Sequence, residues 1–149
     1  MDSTTKGLTK SLDEAYAKLP ALPVGIKEFI VTVAPWLALI FGILAILAGI
    51  SAFGLLSVLS PFAAVSGAGQ YAISGIISSV ILLAQGVVEL IAFPSLQARK
   101  IKGWNLIFLS LVLSVLSSLT TLSISGVLWS LIAAAIGYYF LYQVKSYYK

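Results

Sequence analysis

Four apolar runs, at about 29–53, 72–93, 104–122 and 126–142, alternate with short polar stretches along the chain. Each approaches or exceeds the roughly 20 residues that carry a helix across a hydrocarbon core of about 30 Å. The pattern predicts an all-α, polytopic membrane protein: four transmembrane helices in a tight left-handed bundle. Residues 26–149 would form this membrane domain, and residues 1–25 a polar tail with a proline-containing connector. The spans use so much of the chain that no sizeable domain outside the membrane is expected.

The tail carries its own periodicity. Leu8, Leu12, Ala15, Tyr16 and Leu19 recur at helical spacing, with Lys10, Asp13, Glu14 and Lys18 on the other side. A short amphipathic helix follows from this, and Ser11 with Glu14 fits a capping box at its start. Pro20 and Pro23 would end it. The helix reads as an anchor on the membrane surface or against the bundle, the alternative being a docking element for a partner. No basic start followed directly by an apolar core and a small-residue cleavage site is present, so the first span is expected to insert the protein and stay.

The first run stays apolar to Leu59, well past one bilayer thickness. Either that helix tilts or projects, or it breaks near Gly54. Ser60–Pro61 reads as an N-cap and first position of a short outer helix, which Gly67 and Gly69 would end. Pro35 would kink the first span, and Pro94 would stop or bend the second just before the basic loop.

Small residues form a seam on each span at alternating steps of four and three. The first carries Ala38, Gly42, Ala45, Gly49 and Ala52, and the third Ser110, Ser114, Ser117 and Thr121. The fourth carries Gly126, Ser130, Ala133 and Gly137, while the second is less regular, with Gly75 and Ser78 followed by Leu82, Gln85 and Glu89. A 3.5-residue period keeps one face towards a neighbour, and small side chains let backbones approach where lipid gives no hydrophobic drive to associate. Such seams serve packing within one chain or an interface between copies.

Charge sets the orientation. All nine basic residues lie before the first run, between the second and third, or after the fourth. The connections at 60–71 and 118–125 carry no charge. The positive-inside rule then puts both termini in the cytoplasm. Tyr138, Tyr139, Tyr142, Tyr147 and Tyr148 would anchor the last helix at the headgroup boundary, and Trp104 the third. Arg99, Lys100 and Lys102 are candidate contacts to anionic lipid headgroups.

Composition closes most functional classes. The chain of 149 residues is 60% hydrophobic and 9% charged, without cysteine or histidine. Thiolate metal sites, disulfides and the usual general base are therefore missing. The net charge of +4 is scattered along one membrane face and suggests no nucleic acid. Ser66-Gly67-Ala68-Gly69 has no lysine for phosphate binding, and no serine has a histidine or lysine base at recognisable spacing.

Glu89 is the one ionisable residue inside a predicted span, with Gln85 a turn earlier and Gly86 beside them. A carboxylate there marks a functional site by default. It can equally pair with Arg99, Lys100 or Lys102, and Asn105 can hydrogen-bond it or the end of the second span. The candidate polar site is thus Gln85, Glu89 and Asn105. Small multidrug exporters also combine four helices with one membrane carboxylate, but early in the chain. Here the first span has no charge after Glu28, so the resemblance stops at size.

The expected protein is a non-catalytic structural or accessory subunit of a membrane complex or homo-oligomer, without cofactor or metal. Its partners would be anionic lipids and other membrane subunits or itself, and a prokaryotic inner membrane suits a short chain without glycosylation acceptors. The alternative is a small homo-oligomeric transporter or channel using Glu89 and Gln85, with lipid-modifying enzymes a third class.

Overall fold

A computed structural model describes residues 3–120 and 123–149. Five helices follow one another: α1 Ser3–Tyr16, α2 Val24–Val65, α3 Gly69–Gln97, α4 Ile101–Leu119 and α5 Ile124–Val144, with a 3₁₀ turn at Lys145–Tyr147. The last four are long and apolar enough to cross a membrane, which makes this a multi-pass membrane protein built as a helical bundle. Thr121, from the third seam, lies outside the described residues.

Consecutive long helices pack antiparallel. Gly42 faces Gly86 and Gly49 faces Leu83 between α2 and α3. Ser110 reaches Glu89 between α4 and α3, and Trp104 reaches Leu141 between α4 and α5. The α2–α3 pair is the tightest and longest contact, whereas α5 leans on α4 and barely touches α2.

Glycines explain the α2–α3 contact. A Cβ on Gly86 would stand 2.8 Å from the Gly42 carbonyl oxygen, and one on Gly49 would stand 2.7 Å from Leu83. Backbones this close gain dispersion contacts that larger residues would prevent. At the turn into α4, a Cβ on Gly103 would meet the Leu96 backbone nitrogen at 2.7 Å. The seams are only partly used inside the chain. Ala38, Gly42, Gly49 and Ser110 are buried and Ala45, Ala52, Ser117, Gly126, Ser130 and Gly137 half-buried, but Ser114 and Ala133 are exposed.

Of the two expectations for the outer end of the first span, the projecting helix is the one observed. No break occurs near Gly54 and no separate helix starts at Ser60–Pro61, because α2 runs through both as one helix of 42 residues. Pro61 cannot bond the Ser57 carbonyl, and the Ser60 hydroxyl does so instead at 3.0 Å. Pro94 does not stop α3 either, which continues to Gln97. At 1.5 Å per residue α2 is about 63 Å long and α3 about 43 Å, against about 28 Å for α4 and 31 Å for α5. The Ser78 hydroxyl bonds that of Thr120, where α4 ends. The α2–α3 hairpin therefore stands about 14 Å beyond the α4 end, nine residues of α3 from Ser78 to Gly69.

At the opposite, basic end the tail docks on the bundle rather than lying free. The Tyr16 hydroxyl donates to the Ala135 carbonyl at 2.9 Å, and its ring packs edge-on against Tyr138 at 5.1 Å. Asp13 accepts from Tyr138 at 3.0 Å and pairs with Lys145. Gln143, buried, uses both ends of its amide: its oxygen accepts from the Leu22 amide and its nitrogen donates to the Pro20 carbonyl. Ser11 does not cap α1. It lies inside the helix with its hydroxyl on the Gly7 carbonyl, since the helix extends back to Ser3.

Three of the expected aromatic anchors lie inside. Trp104 is 1% exposed, stacks on Phe108 and donates to the Leu141 carbonyl at 2.8 Å. Tyr138 and Tyr148 are buried as well, so these rings serve the core rather than the headgroup boundary. The C-terminus is stapled to the loop after α3 by the Lys149 amide on the Arg99 carbonyl and the Ile101 amide on the Lys149 carbonyl.

Gly86→Val should cost about 1–3 kcal/mol through forced separation of α2 and α3, read as unfolding in mixed micelles. Gly54→Ala, with nothing within 4 Å of its added carbon, should leave stability unchanged or raise it. Equal losses at both positions would remove the role assigned to the glycine contact.

Candidate functional site

Glu89 sits on the buried face of α3, two turns from the end of the helix, and is 8% exposed. A carboxyl group there must find hydrogen-bond partners, because leaving water without them is costly. Gln85 lies one turn earlier and its amide nitrogen donates to Glu89 Oε1 at 3.1 Å. Ser110 of α4 donates to the same oxygen at 2.6 Å. Both donors converge on Oε1. Among the described residues Oε2 has no partner and is sealed from solvent.

The basic loop does not serve this carboxyl group. Arg99 pairs with Glu28 at 3.1 Å, which ties the start of α2 to the end of α3. That ion pair is half exposed and worth at most about 1 kcal/mol. Arg99 also adopts a left-handed backbone with φ 51°, closing the end of α3 as the Lys100 amide reaches back to the Ser95 carbonyl at 2.8 Å. Lys100 and Lys102 are exposed. The expected pairing of Glu89 with Arg99, Lys100 or Lys102 is therefore absent among the described residues. Helix geometry is the reason: α3 runs about 12 Å past Glu89 before the loop begins.

Asn105 does not join the site either. Half-buried one and a half turns before Ser110, it makes no side-chain hydrogen bond among the described residues. Ser110 takes the place expected of it. The sequence signal for Ser110 is its position in the third seam, which points to packing rather than to a donor for Glu89. Asp13, Tyr138 and Gln143 carry no sequence signal for fastening the tail, because their partners lie more than 100 residues away.

Glu89, Gln85 and Ser110 lie at the bottom of a cleft of about 690 Å³ that opens sideways between α2 and α5. Its α2 wall runs from Ile30 to Ala48, and its α5 wall from Gly137 to Val144. The lining is otherwise almost wholly apolar, with Phe41 and Leu44 from α2, Leu82 from α3, Ile107 from α4 and Phe140 from α5. The arrangement can accept a hydrogen bond or a positive charge within an apolar, lipid-facing recess. Its polar groups at the bottom are one carboxyl group, one amide and one hydroxyl, and among the described residues no second carboxylate joins them.

Ser110→Ala should destabilise the bundle by about 1 kcal/mol through the loss of a donor to a buried carboxyl group. Asn105→Ala should change it by much less, both read as denaturant midpoints in the same micelles. A larger effect at Asn105 would contradict the assignment.

Comparison with protein-family models, curated proteins and solved structures finds no match for this chain.

Proposed function

We propose that the protein is a non-catalytic membrane subunit that assembles with copies of itself or with other membrane proteins through faces its own packing leaves bare. The observation that carries this reading is the overhanging α2–α3 hairpin. Phe53, Leu55, Val58, Phe62 and Val65 on it are all exposed, and residues 53–77 hold no charge.

Lipid alone accommodates this hairpin poorly. The uncharged stretch of α2 from Phe29 to Val65 is 37 residues, about 55 Å as a straight helix. Fitting it within a 30 Å core requires a tilt of about 57°, beyond the 0–40° range of membrane helices. Apolar surface that reaches beyond the lipid is the kind that partner proteins cover. The bare faces of α5, with Trp129, Leu131, Ile132 and Ile136 exposed, add lateral surface.

In this reading the basic end faces the cytoplasm, as the charge distribution favours, and Arg99, Lys100 and Lys102 meet anionic headgroups. A prokaryotic inner membrane is the setting that fits best. The second reading, a small oligomeric transporter or channel, is favoured by one observation: the unpartnered Oε2 of Glu89 in a lipid-open cleft.

Native mass spectrometry of gently extracted protein tests the first reading. A defined complex is expected, and Val58→Glu with Phe62→Glu should weaken it at least tenfold while the helix content is retained. A wild-type chain found only as a monomer would contradict the proposal.

A further inference from the structure

The cleft between α2 and α5 has the form of a binding site whose polar partner is missing from the chain itself. An ionised carboxylate offers about four acceptor positions, and the two donors present both use Oε1. Ionised, Oε2 lacks a donor; protonated, it lacks an acceptor. Either way a buried polar atom stands unmet, which natural structures seldom tolerate without a ligand or a bound water.

Among the described residues no cation reaches it. Arg99 is engaged by Glu28 and Lys145 by Asp13, and Lys145 also lies 4.9 Å above the Trp104 ring. A metal ion would need several oxygen or nitrogen ligands, and no group of three acidic, histidine or cysteine side chains exists among the described residues. The site is one carboxylate in an apolar recess.

The shape narrows the occupant further. The α2 wall extends about 27 Å, but the α5 wall, Gly137 to Val144, only about 10 Å. A partner helix would find one side of its groove missing for most of its length. A small charged head with a flexible apolar chain needs only the deep part closed, and 690 Å³ lies within the range of small-molecule pockets.

We propose that this cleft binds a primary alkylamine or an amphiphile of that class, its ammonium group held by Glu89 and its chain lying along the α2 wall past Phe41 and Leu44. An ammonium brings both the positive charge and the N–H donors that Oε2 lacks. Gln85 and Ser110 hold Oε1 while the site is empty, and those bonds are released as the carboxyl group turns to meet the ligand. Oε2 is itself closed off, and a turn about the terminal side-chain torsion, a soft one, presents it to the cleft. The ligand enters from the lipid, where alkylamines already partition. This assignment deepens the transport reading by naming its substrate class, and rests on the same cleft, but it requires binding only.

The test is a titration of the full chain in nanodiscs with dodecylamine at pH 7, where the amine carries its proton, against empty discs. Dodecanol and dodecanoate serve as probes of equal chain length. Saturable binding of one amine per chain is expected, with neither comparison probe bound. Glu89→Gln should weaken it at least tenfold, because the amide presents a neutral group in place of the charge. Leu44→Trp, on the exposed wall of the cleft, should weaken it as strongly with Glu89, Gln85 and Ser110 untouched. Dodecanol bound as tightly as the amine, or either variant binding within twofold of wild type, would overturn the proposal. Should Glu89→Gln fail to fold, Leu44→Trp and the dodecanol comparison decide. Amine binding without amine movement in proteoliposomes would end the transport reading and leave the site standing.

Discussion

The close approach of α2 and α3 at Gly42, Gly49 and Gly86 governs the rest of the molecule. Lipid gives helices no hydrophobic reason to associate, so van der Waals contact between backbones has to hold them. Two helices of unequal length, about 63 and 43 Å, are locked into one hairpin by that contact. The shorter α4 and α5 can cover only part of it. They pack in sequence, α4 on α3 and α5 on α4, and α5 meets α2 over only a short stretch, which leaves the circle largely open.

Both unusual features of the protein follow from this open circle. Towards the uncharged end, the hairpin outruns its neighbours and exposes Val58, Phe62 and Val65. Towards the basic end, the thin contact of α2 with α5 leaves a cleft whose bottom is Glu89. The tail fastens α5 from outside the long hairpin: Asp13 and Tyr16 tie α1 to it, and Gln143 ties it to the connector that leads into α2.

The number of helices and their approximate spans are legible in the sequence because an unbroken apolar run of about twenty residues suits little besides a membrane-crossing helix. Gly42 and Gly49 are readable as close contacts from their spacing, and Glu89 from its isolation among apolar neighbours. Features set by contacts distant in sequence are not readable in this way. Ser60–Pro61 misleads for a local reason instead: it carries the signature of a helix start, yet the Ser60 hydroxyl satisfies the carbonyl three residues back that Pro61 frees, and the helix continues. Trp104 has the residue type and position of an interface anchor, but its indole finds the Leu141 carbonyl and a place in the core. Asn105 and Ser110 are both within reach of Glu89 by sequence, and only the register of α4 against α3 chooses the serine.

The most direct test of the account is labelling with carbodiimides, since these reagents modify carboxyl groups and differ in where they can go. A lipophilic carbodiimide should reach Glu89 through the α2–α5 cleft and place one adduct there, mapped by mass spectrometry. A water-soluble carbodiimide should instead modify exposed Glu14 and half-exposed Glu28 and leave Glu89 intact. Glu89 untouched by the lipophilic reagent, or modified as readily by the soluble one, would contradict a carboxyl group at the base of a cleft open to lipid.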